Sequence, residues 1–274
     1  MRQTRAATIL SHGFAYLSGL VFLGPLYILV NLAVRPPTDL EPAIFPTQHP
    51  SFSNFAQAWT QSGLGSAMLT SVTVTSVSCV VILIFATMAA YPLARSLSRW
   101  SNRTFYFFLL GLLLPFQVAI LPLYIQFRDL HLLGSPWALV LYYVGHNMPF
   151  PIFLITTFLR ASVPLEYEEA ARIDGCSDRR VFLVIVIPLL RPVLGTAAIL
   201  VGLGIWNDFF TPLLYLSGSG SSTIPMALYR FVGTYSTNWP LVFAGLLISM
   251  APILILYLVF QRYVIQVFAG GVKG

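Results

Sequence analysis

The sequence predicts an all-α polytopic membrane protein with six transmembrane helices and a helical hairpin on the cytoplasmic side. Of the 274 residues, 57% are hydrophobic and 9% are charged, and the mean hydropathy is +0.79. This composition is typical of membrane proteins and not of soluble domains. Long uncharged runs alternate with short polar loops, and the basic residues concentrate in every second loop. These observations together predict the fold class.

Six apolar stretches reach the length of about 20 residues that a helix needs to cross a bilayer. They predict a single transmembrane domain over residues 1–274, with spans at 14–34, 66–94, 105–127, 136–159, 193–216 and 241–260. For the first span the alternative is a cleavable signal peptide. Its apolar run exceeds the roughly 7–15 residues of a signal-peptide core, and no small-residue cleavage site follows, which favours an uncleaved helix. Pro115 and Pro122 fall inside the third span, where neighbouring helices can satisfy the carbonyls that they free.

Six spans place both termini on the same side of the membrane. Twelve of the fifteen basic residues then share that side: Arg2, Arg5, Arg95, Arg99, Arg103, Arg160, Arg172, Arg179, Arg180, Arg191, Arg262 and Lys273. Arg35, Arg128 and Arg230 lie opposite. The positive-inside rule makes the crowded side cytoplasmic. The same placement accounts for the net charge of +6 without a nucleic-acid partner.

Residues 164–188 are the most polar part of the chain and predict a helical hairpin. Four of the nine acidic residues lie in the first half of this segment, at Glu166, Glu168, Glu169 and Asp174. Pro164 suits a first helical position, and acidic side chains suit the positive end of a helix. A helix of about ten residues, roughly 15 Å long, is expected here.

The second half of the hairpin begins after a predicted turn. Gly175 supplies the left-handed residue that ends a helix, and Ser177 with Asp178 can cap the next one. That second helix leads into residues 181–187, an apolar run too short to cross a bilayer. The pattern therefore predicts two short helices joined by an elbow between two membrane spans.

Glu169-Ala170-Ala171 is followed after three residues by Gly175 and, nine residues later, by Ile185-Val186-Ile187-Pro188. This spacing resembles the EAA signature of the membrane-spanning subunits of binding-protein-dependent ABC importers. An EAA tripeptide alone is typical of any charged loop, but the full spacing with its Gly and Pro indicates the signature. The family usually has Leu where this chain has Ile187.

Two further runs extend the resemblance to the maltose and glycerol-phosphate type of carbohydrate permease. They are Trp206-Asn207-Asp208-Phe209 and the Pro-Phe-Gln that ends at Gln117. The resemblance implies a multi-pass permease of the bacterial inner membrane that imports a carbohydrate or a related polar solute. It further implies a second related permease subunit, two cytoplasmic ATP-binding subunits and an extracytoplasmic solute-binding protein as partners. ATP and Mg²⁺ would bind to the partner ATPase, with no cofactor or metal in this chain.

The same resemblance makes the hairpin the coupling element that docks against the ATPase. Glu169 would make a polar contact with the motor, Ala170 and Ala171 would pack closely, and Gly175 would permit the turn. The coupling residues that it implies are Glu166, Glu169, Ala170, Ala171, Asp174, Gly175 and Pro188.

One acidic residue, Asp208, falls within a predicted span, where a carboxylate costs a few kcal/mol unless it faces a cavity or a partner. Three interpretations stay open: a polar patch on the translocation path, a packing or gating contact, and a cap at a helix break helped by Pro212. The candidate path residues are Gln117, Asn147, Trp206, Asn207 and Asp208.

The sequence predicts a transporter subunit and not an enzyme. A phosphate-binding P-loop needs Lys followed by Ser or Thr, but the only lysine, Lys273, precedes Gly274. The alternative of a secondary transporter driven by an ion gradient needs intramembrane ionisable residues, and only Asp208 qualifies. A membrane-embedded enzyme would need a cluster of catalytic residues, and none is found in the sequence.

Overall fold

A computed structural model describes residues 5–39, 41–232 and 237–270, without the side chains of residues 5–15, 17, 20, 116–117, 256–257 and 259–270. The cytoplasmic position predicted for the two termini concerns residues 1–4 and 271–274, which lie outside these ranges. Within them the regular structure is helical apart from one antiparallel bridge between Val232 and Thr237. The helices, in chain order, are α1 Arg5–Ala33, α2 Ser53–Gln61, α3 Leu64–Arg95, α4 Arg99–Leu113, α5 Phe116–Asp129, α6 Pro136–Asn147, α7 Pro149–Ser162, α8 Glu166–Ile173, α9 Asp178–Val181, a π-helical turn Phe182–Val186, α10 Ile187–Asn207, α11 Phe210–Leu216, α12 Ile224–Tyr229 and α13 Trp239–Gly270.

Two helices in the described ranges are long and apolar enough to cross a membrane. They are Leu64–Arg95 and the continuous helix Asp178–Asn207, and two bent helix pairs raise the number to four if each pair is one span. Two shorter apolar helices were found: Val21–Ala33 lies within the predicted first span, and Trp239–Ile255 overlaps the predicted sixth span. The all-helical prediction is thus confirmed for the described residues, whereas six spans stay a prediction.

The third and fourth predicted spans, 105–127 and 136–159, are not single straight helices. The third is broken between α4 and α5, because the residue before a proline is pushed out of the helical conformation and Leu114 before Pro115 is extended. Pro122, by contrast, is tolerated inside α5. The fourth bends by 43° between α6 and α7, where Pro149 opens the second helix.

The prediction of a second hairpin helix followed by a separate span at 193–216 is wrong. One helix runs continuously from Asp178 to Asn207, and residues 210–216 form the separate helix α11. Pro188 does not end this helix, although its ring would clash with the carbonyl of residue 184 in regular α-geometry. The π-helical turn absorbs that conflict, since the N–H of Ile187 bonds to the carbonyl of Phe182 instead.

The chain forms two compact units. One contains the described residues up to Gly65 together with Met226–Ala251, and the other contains Ser66–Pro225 with the described residues from Pro252 onward. The sequence predicts one transmembrane domain over residues 1–274, and the hydropathy pattern does not mark this division. Both the hairpin and Asp208 belong to the second unit.

In the first unit, the segment after α1 folds around a buried arginine. Arg35 donates to the backbone carbonyls of Glu41 and Phe45 and pairs with Asp39 at 3.6 Å. Asn31 donates to the carbonyl of Phe45 at 2.7 Å. A buried guanidinium needs such partners to offset its lost hydration, so these contacts hold the segment in one conformation.

In the second unit, an apolar core joins α3, α7, α8 and the start of the Asp178–Asn207 helix. Its buried members are Ala86, Ala90, Leu93, Ile152, Ile155, Leu159, Val163, Ala171, Val181, Val186, Leu190 and Val193. The small residues on α3 allow the helices to approach closely, as is common in lipid. The hairpin is therefore packed on this core through Ala171 and Val181.

Candidate functional site

The hairpin helix α8 ends at a left-handed glycine, as its sequence predicts. Gly175 has φ +82° and follows the cap residue Asp174. Its N–H bonds to the carbonyl of Arg172 at 3.0 Å, and the N–H of Cys176 bonds to that of Ala171 at 2.9 Å. This pair of bonds is the Schellman motif, which satisfies the last carbonyls of a helix.

The first hairpin helix begins later than predicted, and the second begins after Ser177 as predicted but without the predicted side-chain cap. The first helix starts at Glu166, not at Pro164, and has eight residues. Ser177 occupies the cap position of α9 with extended backbone angles, but its side chain makes no capping hydrogen bond. The carbonyl of Ser177 nevertheless accepts from the N–H of Val181 at 2.9 Å.

The inner face of α8 carries a fully buried carboxylate, that of Glu168, with a relative exposure of 0%. It accepts a hydrogen bond of 2.7 Å from the hydroxyl of Tyr91 and another of 2.7 Å from Nε of Arg95. The guanidinium of Arg172 lies 3.5 Å from Oε2 of Glu168, the oxygen that accepts from Tyr91. A buried charge is costly unless it is paired and hydrogen-bonded, and Glu168 satisfies both conditions.

The two arginines extend this group to neighbouring elements. Arg95 also donates to the carbonyl of Val163 at 3.0 Å, at the end of α7. Arg172 donates to Asp178 at 2.9 Å, the first residue of α9. We call Tyr91, Arg95, Glu168, Arg172 and Asp178 the Glu168 cluster. It joins α3, α7, α8 and α9.

The outer face of α8 is exposed and partly apolar. Ile173 is 85% exposed and Tyr167 57% exposed. The predicted coupling residues Glu166, Glu169, Ala170, Asp174 and Gly175 are exposed as well. An ordinary surface helix buries apolar residues and exposes charged ones. In α8 a carboxylate is inside and isoleucine is outside, a pattern that indicates a surface for a partner.

Two predicted coupling residues, Ala171 and Pro188, do not lie on the outer face of α8. Ala171 does pack closely, but within this chain, because its side chain belongs to the buried core. Pro188 lies near the start of α10, just after the π-helical turn, and its side chain is half-buried.

The second candidate site surrounds the break after α10. Asp208 follows the last residue of this helix with extended backbone, and its Oδ1 accepts from the N–H of Thr211 at 3.2 Å. Its Oδ2 accepts from the hydroxyl of Tyr143 at 3.0 Å. The carboxylate thus caps the break, which is one of the interpretations that the sequence leaves open.

Asp208 also faces a cavity of about 260 Å³. The residues lining it are Tyr142, Tyr143, His146, Asn147, Gly204, Ile205, Asp208 and Thr211. The rings of Tyr142 and His146 are stacked with centroids 5.5 Å apart. A carboxylate, an amide, an imidazole and two phenols thus converge on one space, which is a chemistry suited to a polar solute.

Of the predicted path residues whose side chains the structure describes, only Asn147 and Asp208 line this cavity. Trp206 is buried within the protein, and Asn207 is exposed with its amide bonded to the carbonyl of Leu203. The side chain of Gln117 lies outside the described residues.

Sequence reasoning misses the inner face of the hairpin. It names Glu166 and Glu169 as coupling residues, but not Glu168, Tyr91 or Arg95. One signal is present: Glu168 and Arg172 are four residues apart, the spacing of a helical ion pair. The pairing with Arg95 leaves no signal of this kind because the two residues are 73 positions apart.

A comparison with known families decides the identity of the chain. Residues 82–268 match the family described as "Binding-protein-dependent transport system inner membrane component". The chain belongs to this family. It is therefore the membrane component of an ABC transport system, in which the ATPase site lies on another chain. Such a permease works in general with a partner permease, an ATPase and a binding protein.

Individual relatives cover most of the permease. It is 32% identical over 252 residues to the melibiose/raffinose/stachyose import permease protein MelC of Bacillus subtilis, which is 91% of either chain. It is 33% identical over 272 residues to the arabinooligosaccharides transport system permease protein AraQ of Halalkalibacterium halodurans, covering 97% of this chain and 96% of that one. These alignments run through both the hairpin and the Asp208 region.

The fold has a counterpart among solved structures. A crystal structure of a bacterial ABC transporter involved in the import of the acidic polysaccharide alginate contains a chain that superposes with a TM-score of 0.81. The superposition covers 96% of this chain and 99% of that chain, at 21% sequence identity. The permease thus has an ABC transporter permease fold. None of the comparisons supports the alternative of a secondary transporter.

Proposed function

We propose that this permease imports a carbohydrate and forms one half of the translocation pathway in a heterodimer with a second related permease. It crosses the inner membrane six times with both termini in the cytoplasm. Two cytoplasmic subunits bind ATP and Mg²⁺, and an extracytoplasmic solute-binding protein delivers the substrate. The charge distribution supports this orientation, since twelve of fifteen basic residues fall on the proposed cytoplasmic side.

The observation that carries the proposal is that α8 buries the carboxylate of Glu168 while it exposes two large apolar side chains. Its inner face is bound to the membrane helices through Glu168, and its outer face exposes Tyr167 and Ile173 to a partner. A cytoplasmic helix with these two faces can dock on an ATPase and transmit its movement. ATP binding closes the ATPase dimer, displaces the hairpin and favours the outward-open state of the spans. The loaded binding protein favours the same state, and such differential affinity is what couples two sites.

The first experiment is co-purification of the permease from native membranes in mild detergent, with mass spectrometry of the bound proteins. We expect an ATPase with a P-loop, a second permease and a solute-binding protein, whose ligand identifies the sugar. A chain that purifies alone and transports in liposomes without ATP would refute the proposal.

Ile173→Glu is expected to reduce the amount of ATPase that co-purifies by about tenfold, because apolar anchors at an interface commonly contribute more than 1 kcal/mol. The permease itself is expected to fold normally, since Ile173 is 85% exposed. Leu130→Glu is the matched control, an exposed leucine just after α5. Equal ATPase recovery with both variants would show that the outer face of α8 does not dock.

The carbohydrate is proposed from the relatives and from the cavity at Asp208. MelC and AraQ are named for sugars. Sugar hydroxyls both donate and accept hydrogen bonds, so a carboxylate and an amide such as those of Asp208 and Asn147 suit them. We propose that this cavity lies on the translocation path, and that Asp208 lines it in addition to capping the break.

Asp208→Asn separates these two roles, because asparagine keeps an oxygen for the N–H of Thr211 but loses the charge. We expect the maximal uptake rate to fall about tenfold, since hydrogen bonds to charged groups contribute about 1.5–3 kcal/mol. Membrane abundance is expected to stay at the wild-type level. Uptake of the sugar by right-side-out vesicles loaded with ATP measures the effect. Unchanged uptake would leave Asp208 with the capping role alone.

A further inference from the structure

The Glu168 cluster does more than satisfy a buried charge, because it connects the hairpin to two separate membrane-spanning helices. Tyr91 and Arg95 lie at the C-terminal end of α3, and Asp178 begins the continuous helix that includes α10. The ring of Tyr91 also packs on Phe182, with centroids 5.0 Å apart, in the π-helical turn of that helix. The carboxylate of Glu168 lies at the centre of these contacts.

We propose that Glu168 is a positioning residue for energy coupling, through which displacement of the hairpin is passed to α3 and to the Asp178–Asn207 helix as one body. This inference rests on the proposed docking of α8 on an ATPase, and it assigns the inner face a role distinct from that of the outer face. Two short bonds of 2.7 Å, to Tyr91 and Arg95, tie α8 to α3. Arg172 ties α8 to Asp178 across the Gly175 turn.

The connection between α8 and α3 is direct, because Glu168 bonds to Tyr91 and Arg95 without an exposed side chain between them. Glu168 has no exposed surface and Arg95 is only 16% exposed. Water therefore does not compete for these bonds as it does for an exposed ion pair. Charge-assisted hydrogen bonds of this length are also the strong and directional ones. A displacement of α8 is therefore expected to move the C-terminal end of α3 with it, and not only to change the conformation of the Glu168 side chain.

Glu168→Gln tests the proposal because it keeps the shape of the side chain and removes its charge. The amide oxygen can still accept from Arg95 and the amide NH₂ can donate to the hydroxyl of Tyr91, but the ion pair between Glu168 and Arg95 is lost. We expect the ATPase to co-purify at the wild-type ratio, because the outer face of α8 is unchanged. In reconstituted complexes, uptake and the stimulation of ATP hydrolysis by the loaded binding protein are expected to fall about tenfold. This loss corresponds to one strong polar interaction in the coupled state.

Asp129→Asn is the control, an exposed carboxylate whose partner Arg128 is also exposed, and wild-type stimulation is expected. Uptake and stimulation within twofold of wild type for Glu168→Gln would overturn the inference. Loss of ATPase from the complex in proportion to uptake would also overturn it, because Glu168 would then only shape the docking face. If the wild-type permease binds no ATPase, the proposed function fails as well, and this outcome is recognised without any variant.

Arg172→Gln provides a second measurement should Glu168→Gln not be recovered in folded form. Arg172 is partly exposed, and its removal breaks the tie to Asp178 while leaving both 2.7 Å bonds of Glu168 in place. We expect normal ATPase binding with a partial loss of stimulation. Stimulation equal to that of the wild type would count against coupling through the cluster.

Discussion

Gly175→Val is expected to uncouple transport, with uptake falling about tenfold or more while the ATPase subunits remain present. Gly175 has φ +82°, and an added Cβ would meet nothing within 4 Å. The effect is therefore one of backbone conformation and not of steric clash with neighbours. The left-handed conformation costs an L-residue about 1–2 kcal/mol, and a β-branched residue is an even poorer fit to it. The strained turn is expected to shift α8 relative to α9 and to disturb the contact between Arg172 and Asp178.

Two variants separate this effect from general strain. Gly218→Val introduces the same strain at φ +81° with equally open surroundings, but in the loop after α11, so coupling is expected to persist. Gly175→Asn is expected to restore much of the uptake, because asparagine tolerates the left-handed region. Sugar uptake and ATP hydrolysis are measured on the same membranes. Wild-type uptake by Gly175→Val at normal membrane abundance would contradict the proposed role of the turn.

Arg95→Ala is expected to have the largest effect on stability, lowering the free energy of unfolding by about 3 kcal/mol. Removing one partner of a buried ion pair costs about 3–5 kcal/mol, because the remaining charge is left buried. The lower value applies here, since Glu168 keeps Tyr91 and Arg172 as partners. The carbonyl of Val163 loses a donor as well. Denaturation of the purified permease in detergent measures the change.

Arg128→Ala is the control for this prediction, because Arg128 and Asp129 form an ion pair with side chains 60% and 59% exposed. Exposed pairs contribute about 0–1 kcal/mol. The double variant Arg95→Met with Glu168→Leu is expected to recover part of the lost stability, since an apolar pair of similar volume can replace a buried ion pair. Equal stability of Arg95→Ala and Arg128→Ala would show that the Glu168 cluster is not an energetic centre of the fold.

The elements that the sequence predicts well depend on local chemistry. The apolar run at 66–94 predicts α3, and Gly175 takes the left-handed conformation expected for a helix end. The EAA spacing indicates the family that the comparisons confirm. In each case the signal lies within one continuous stretch of the sequence.

The prolines show where local rules are not sufficient. Pro115 interrupts a predicted span, Pro149 bends another, and Pro188 interrupts nothing because a π-helical turn accommodates it. The same residue type has three outcomes because a helix can meet a proline by a break, by a bend or by an altered hydrogen-bond pattern. Asp208 is similar: its capping bond is local, but its contact with Tyr143 comes from a helix 65 positions earlier.

Hydropathy, charge placement and motif spacing by themselves determine that this chain is the membrane component of a transporter with a polar hairpin turning at Gly175. Only the tertiary structure decides which of the three carboxylates at Glu166, Glu168 and Glu169 faces inward. Their side chains are chemically alike and close in sequence, and the helical spacing of Glu168 from Arg172 does not by itself bury a carboxylate. The choice is made by Tyr91 and Arg95 on α3, which supply the two bonds that a buried carboxylate requires.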